Sequence, residues 1–224
     1  MSAVNEVRAV LLDLYDTVAW TEWKSMRLEL EERLGLERRA LLRAFELSRP
    51  KRSTGAFGSA EGDLTAILEA AGVPSDPELV RELTERTTTF LQTGVRLWED
   101  SVPVMRELRR RGLRVAIVSN CDHSTRPVVE RLGLVDEADA VILSFEVGAA
   151  KPSPEIYRAA LERLDVPAGD AVFVDDQAAY CDGAASIGIQ TVLIVREGAT
   201  PAEGVSEAGG HRVITDLRAL LELV

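Results

Sequence analysis

Three aspartates stand where short apolar runs end. Asp13 follows residues 7–12, and Asp175 and Asp176 follow residues 171–174; Ser119 and Asn120 follow a third run, residues 114–118. Carboxylates gathered at one crevice repel one another, and some are driven to protonate unless a cation sits between them. A hard divalent ion such as Mg²⁺ takes oxygen ligands and commonly arrives with a phosphate, so it answers that chemistry. A carboxylate can attack phosphorus in line and form an acyl phosphate. A lysine and the metal would then share the charge on the transferring group. Lys151, within GAAKPSPEIY, supplies the lysine at a helix entry whose backbone is fixed by Pro152 and Pro154. Ser119 offers a hydroxyl to a phosphate oxygen.

The elements that must bring these groups together are legible as an alternation. The runs at 7–12, 114–118, 140–143, 171–174 and 190–195 are nearly continuous in Val, Ile, Leu and Ala, as in strands covered on both faces. Helical patterns at 102–111, 125–132, 154–164 and 178–187 fall between them, and a last helix begins at Thr215 with Asp216 in its first turn. Gly112 and Gly133 stand where helix C-termini favour glycine. This rhythm predicts an α/β fold with a doubly wound parallel sheet. Ligands of such sheets bind beyond the carboxyl ends of the strands, which is where the polar residues cluster. Residues 18–94 break the rhythm: helical patterns at 22–34, 37–47, 61–71 and 76–92 occur with no convincing strand. The expected organisation is an α/β core of residues 1–17 and 95–224, with a small α-helical domain of residues 18–94 inserted after the first strand.

Bulk properties narrow the function classes. The 224 residues carry 26 Lys and Arg against 37 Asp and Glu, a formal charge of −11. That balance opposes any general affinity for nucleic acid or anionic membrane. No stretch approaches the roughly 20 apolar residues of a membrane span, and the first ten residues do not read as a signal peptide. Cys121 and Cys181 read as reduced thiols. A cytoplasmic protein acting on a small molecule is the expectation, with nothing to fix its oligomeric state.

Four ordered segments, DLYDT (residues 13–17), VSN (118–120), AKPSPEIY (150–157) and FVDD followed by Gly183 and Ala184, resemble the motifs of the haloacid dehalogenase-like hydrolase superfamily. The likeness covers the whole core, and the helical segment resembles that superfamily's inserted cap. The resemblance implies a Rossmann-like core with Asp13 as nucleophile. It implies Ser119 and Lys151 as ligands of the transferring group, with Thr17 and Asn120 as further substrate-binding candidates. It implies Mg²⁺ held by Asp13, the Tyr15 main-chain carbonyl, Asp175 and Asp176. Thr17 is also suited to satisfying backbone groups at the turn after the strand, and Asn120 to organising its loop.

Tyr15 departs from the phosphatase pattern, which carries at that place an aspartate that protonates the leaving group and then activates water. Tyrosine there resembles the 2-haloacid dehalogenase branch, in which the carboxylate attacks carbon. The acidic pair Asp175 and Asp176 does not follow that branch, and Tyr180 stands where it carries a carboxylate. The sequence therefore reads as a Mg²⁺-dependent phosphatase slowed by Tyr15, a phenol with a pKa near 10. The alternatives are a carbon–halogen hydrolase and a weakly catalytic protein that binds a phosphorylated ligand or a partner. A dehalogenase would need a cap arginine for its substrate carboxylate, and Arg27, Arg33, Arg38, Arg39 and Arg43 are the candidates by region. Asp122 and His123 are candidate replacement acids, and Asp16 is expected to point away from the pocket. Trp20 and Trp23 are placed to line a substrate pocket or to pack core against cap. His211 is expected at the surface.

Overall fold

A computed structural model describes residues 6–196 and 210–224. Strand β1 (Ala9–Leu12) and the short β2 (Ala19–Trp20) lead into four helices, α1 (Trp23–Arg33), α2 (Ala40–Arg52), α3 (Ala60–Ala70) and α4 (Pro77–Gly94). Next come β3 (Arg96–Leu97), α5 (Ser101–Arg110), β4 (Arg114–Ser119), α6 (Thr125–Arg131), α7 (Leu134–Glu137) and β5 (Ala140–Leu143). The rest is α8 (Ser144–Val147), α9 (Pro154–Leu164), β6 (Ala171–Asp175), α10 (Ala178–Ala185), β7 (Gln190–Ile194) and β8 (Arg212–Ile214), closed by a 3₁₀ turn at Leu217–Glu222.

Six strands form one sheet in the order β5-β4-β1-β6-β7-β8, with every pairing parallel. Because side chains alternate along a strand, each strand feeds both faces. Val10, Leu12, Val115, Ile117, Val172 and Val174 pack on one side with Met105 and Leu108 of α5. Ala9, Leu11, Ala116, Val118 and Phe173 pack on the other with Ile156, Tyr157 and Ala160 of α9. Both faces are therefore core, which is why these runs are apolar without interruption. The connections from β1 and β6 leave in opposite directions, toward β4 and β7 respectively. Adjacent strands whose connections diverge in this way open a crevice at their carboxyl ends.

Helices α1 to α4 share a separate hydrophobic cluster that includes Met26, Leu30, Leu41, Ile67, Leu68 and Leu83. Their starts follow ordinary capping chemistry. Ser59 accepts from Gly62 N at the head of α3, and Asp76 accepts from Glu78 N and Leu79 N before Pro77 at the head of α4.

The structure departs from the sequence reading in several places, the short helices α7 and α8 among them. Ala19 and Trp20 pair antiparallel with Leu97 and Arg96, a ribbon of two residues per strand that is too short to leave a periodic trace. Helix α2 runs through Pro50 to Arg52 rather than ending before it; only two residues follow the proline, so little helix depends on its missing N–H. The final helical segment is a 3₁₀ turn with Asp216 as its cap rather than a member of its first turn.

Candidate active site

The register of the sheet brings the acidic residues together. Leu12 lies opposite Val174, and Asp13 N donates to Val174 O at 2.9 Å. Asp13 thus leaves β1 level with the end of β6, where Asp175 and Asp176 follow. One carboxylate oxygen from each of Asp13, Asp175 and Asp176 lies within 4.8 Å of the others. Asp13 and Asp175 are buried and Asp176 is half-buried.

Lys151 reaches this cluster from the loop before α9. Its Nζ donates to Asp13 Oδ1 and, at 2.7 Å, to Asp175 Oδ2. The other oxygen of Asp175 accepts from Gln177 N at 2.8 Å. Burial works to lower the lysine's pKa, but the two carboxylates outweigh it and hold the ammonium charged. One ammonium does not neutralise three carboxylates. Burial pushes Asp13 up to about 7, with Lys151 opposing and Asp175 reinforcing the rise. Burial and the charges of Asp13 and Asp175 push Asp176 up to about 9. A carboxylate cluster in which Asp13 and Asp176 resist ionisation in this way suits a hard divalent cation, which would remove the repulsion. The donor set is all oxygen, as Mg²⁺ requires.

The loop that carries Lys151 is gripped from two sides. Asn120 donates from Nδ2 to Lys151 O at 2.8 Å and accepts at Oδ1 from Lys151 N at 2.7 Å. Gly183 of α10 lies against Pro152, where an added Cβ would come 2.6 Å from the proline carbonyl oxygen. Ser119 Oγ is buried at the end of β4 and has no hydrogen-bond partner among the described residues, so it is placed to meet a ligand atom. Thr17 is fully buried; its carbonyl accepts from Arg196 at 2.7 Å, and its hydroxyl has no partner among the described residues.

Tyr15 extends toward Thr125, with 3.5 Å between the two hydroxyl oxygens. Burial raises its pKa above the ordinary phenol value, which removes it further from acid/base work at neutral pH. Asp16, expected to point away, lines the crevice instead with its backbone at φ 62°. Its charge helps to raise the pKa of Asp176. Asp122 is held by Arg52. His123 bonds through Nδ1 to Asp63 at 2.6 Å and lies against the Phe145 ring.

From this cluster a cavity of about 370 Å³ extends among the four helices. Trp23 lines it, whereas Trp20 packs against Trp98 with 5.9 Å between ring centroids. None of the five arginines named from the sequence lines the cavity; Arg49 and Arg52 of α2 do. Sequence reasoning missed both, because a helix expected to stop before Pro50 places neither on a wall. Cys121 lines the same space, and its thiol is pushed up to about 12 by burial. Cys181 is also a free, buried thiol.

Residues 7–188 match the family described as haloacid dehalogenase-like hydrolase. A phosphatase of Mycobacterium tuberculosis is 37% identical over 127 residues, 56% of each chain. A (S)-2-haloacid dehalogenase of Pseudomonas sp. is 35% identical over 123 residues, 53% of this chain and 51% of that one. The crystal structure of a HAD phosphatase from Thermococcus onnurineus superposes with a TM-score of 0.66 at 26% identity, covering 97% of both chains. The chain spans about half the length of the curated relatives it matches. With this fold and these matches, the chain belongs to the haloacid dehalogenase-like hydrolases. Among the described residues no helix is long and apolar enough to cross a membrane.

Proposed function

We propose that this hydrolase is a Mg²⁺-dependent phosphatase of small phosphorylated molecules, with Asp13 as its nucleophile. The observation that carries the reading is the convergence of Asp13, Asp175 and Asp176 within one ligand-sized cluster, bridged in part by Lys151. A metal-free carbon–halogen hydrolase would have to sustain that repulsion with no cation to relieve it. Asp13, Asp176 and the Tyr15 main-chain carbonyl would hold the ion, with Asp175 supporting them. When bound, the ion would supply charge stabilisation to the transferring phosphoryl group. Asp13 attacks phosphorus, the ester P–O bond breaks, and the alcohol departs with a proton from solvent. The phosphoaspartate is then cleaved by water, which releases inorganic phosphate and restores Asp13. Lys151 and Ser119 bind the phosphoryl oxygens through both steps.

No aspartate occupies position 15, so turnover should be slow on esters with poor leaving groups. Helices α1 to α4 serve as a cap over residues 18–94, and their cavity selects the organic part of the substrate. An activated aryl phosphate assayed with Mg²⁺ or EDTA, beside halide release from a 2-halo acid, tests the reading, with Asp13→Asn as control. Metal-dependent phosphate release supports it. Metal-independent halide release would replace it with the dehalogenase reading, and neither activity with it the weakly catalytic binding protein.

A further inference from the structure

The cavity that opens at the carboxylate cluster does not stop at the surface of the helical segment. Its walls include Leu30, Leu41, Ile67, Leu68 and Leu83, the same buried side chains that make up the segment's own hydrophobic cluster. Protein interiors ordinarily close-pack, so a space of about 370 Å³ that runs from the carboxylates in among these side chains is ligand-sized rather than a packing fault.

Two further observations describe its occupant. Thr84 and Thr87 stand three residues apart on α4, on one helix face. Both line the cavity, and both hydroxyls are buried without a hydrogen-bond partner among the described residues. Helical threonines can satisfy themselves on the preceding turn, as Thr65 does with Glu61 O and Thr93 does with Thr89 O, each at 2.8 Å. Thr84 and Thr87 do not, although buried polar groups rarely stay unpaired. The arginines on the wall are already paired. Arg52 is spent on Asp122, Ser48 Oγ and Phe45 O, and Arg49 is paired with Glu46 at 3.3 Å. The buried carboxylate of Asp63 lines the same space with one oxygen unpartnered, which repels a second anion.

We infer, resting on the phosphatase reading above, that the substrate is a phosphate monoester with an uncharged, mainly apolar body that carries a hydroxyl or carbonyl partway along. The body fills the helical cavity and its polar group meets Thr84 and Thr87. Esters with a second phosphate or a carboxylate are poor ligands.

Binding of n-alkylphosphonates, methyl to octyl, to the Mg²⁺-loaded protein tests this by calorimetry and needs no turnover. Affinity should rise about fourfold per methylene until the cavity is full. An ω-carboxyalkylphosphonate of equal length should bind at least tenfold more weakly. The double variant Thr84→Val, Thr87→Val should abolish a preference for mid-chain hydroxyl analogues while retaining the chain-length slope. Ile67→Phe, checked for folding by its melting transition, should flatten that slope. A flat series, or a preference for the carboxylated analogue, overturns the inference. Turnover of p-nitrophenyl phosphate, measured separately, reports on the phosphatase reading: activity with a flat phosphonate series leaves that reading standing alone.

Discussion

Asn120 holds the backbone of Lys151 from both sides, donating to its carbonyl at 2.8 Å and accepting from its N–H at 2.7 Å. The side chain that follows β4 is thereby used as a two-point clamp on the loop before α9. It fixes where the ammonium meets Asp13 and Asp175. Asn120→Ala removes both bonds and leaves Nζ to find its partners from a looser loop. Since a misplacement near 1 Å can cost on the order of 10²-fold in rate, kcat for an aryl phosphate should fall by about that factor. KM should change far less, and the far-UV spectrum should be retained. Steady-state kinetics check it, and unchanged kcat would remove the clamp from the account.

Gly183 clamps the same loop from the other side by having no side chain. Replacing a glycine inside a helix by alanine ordinarily stabilises by about 1 kcal/mol. Here the added Cβ would lie 2.6 Å from Pro152 O and 2.7 Å from Pro152 Cβ. The sign should therefore reverse, with Gly183→Ala losing about 1–3 kcal/mol through overpacking. Activity should fall as the Lys151 loop shifts. Urea denaturation beside kinetics measures both effects.

The reach of sequence reasoning follows from which interactions are local. The strands at 114–119, 140–143 and 171–175 were legible because burial on both faces forces unbroken apolar runs. Asp13, Asp175 and Asp176 were legible because a parallel sheet sends the ends of its strands to one crevice. The place of Asp16 on the crevice wall was not, because nothing in the local pattern announces its positive φ. His211 was expected at the surface, yet its ring is nearly covered between Thr191 and Asp182, partners 20 and 29 residues away. Pairings such as Arg52 with Asp122 depend on how the helical segment sits over the sheet, and no spacing rule encodes that.

Tyr15, at the position where the proposed mechanism would want an acid/base group, has its hydroxyl near Thr125 and a pKa raised by burial. Tyr15→Asp should restore a group able to protonate the leaving alcohol. General acid/base assistance contributes about 10²–10⁴-fold, so Mg²⁺-dependent turnover of an alkyl phosphate should rise at least tenfold. A substrate with a good leaving group should gain less. Turnover that stays level or drops would show that the missing acid is not what limits the wild type.

Asp176 resists ionisation, with burial foremost and the charges of Asp13 and Asp175 behind it. Asp176→Asn replaces a carboxyl that is costly to ionise there by a neutral amide. In EDTA the variant should melt higher, by about 2–4 °C for each kcal/mol of relieved repulsion in a chain of this length. In excess Mg²⁺ the order should invert, because the wild type gains stability from ion binding and the variant has lost a ligand. Paired thermal melts supply the check, and an equal Mg²⁺-induced shift in both proteins would remove Asp176 from the metal site.

Asp100 and Arg196 form a second buried pair, remote from the carboxylate cluster but tied to it. Arg196 donates to Asp100 at 2.6 and 2.9 Å and to Thr17 O at 2.7 Å, and Asp100 also accepts from Leu217 N at 2.6 Å. Burial alone would raise the pKa of Asp100, but the bonds from Arg196 and Leu217 outweigh it and hold the carboxyl below its ordinary value. A depressed folded-state pKa means that the stabilisation is complete above the unfolded value, near 4, and is lost as pH falls through the folded one. Asp100→Asn leaves Arg196 buried without its counter-charge, which should cost about 3–5 kcal/mol at neutral pH. The difference between wild type and variant should hold constant from pH 8 to about 5 and shrink below about 4. Urea denaturation across that range gives the result, and a gap that widens on acidification would mean that Asp100 is not ionised in the folded protein. Because Thr17 lies four residues beyond Asp13, the variant should also lower kcat under conditions where it remains fully folded.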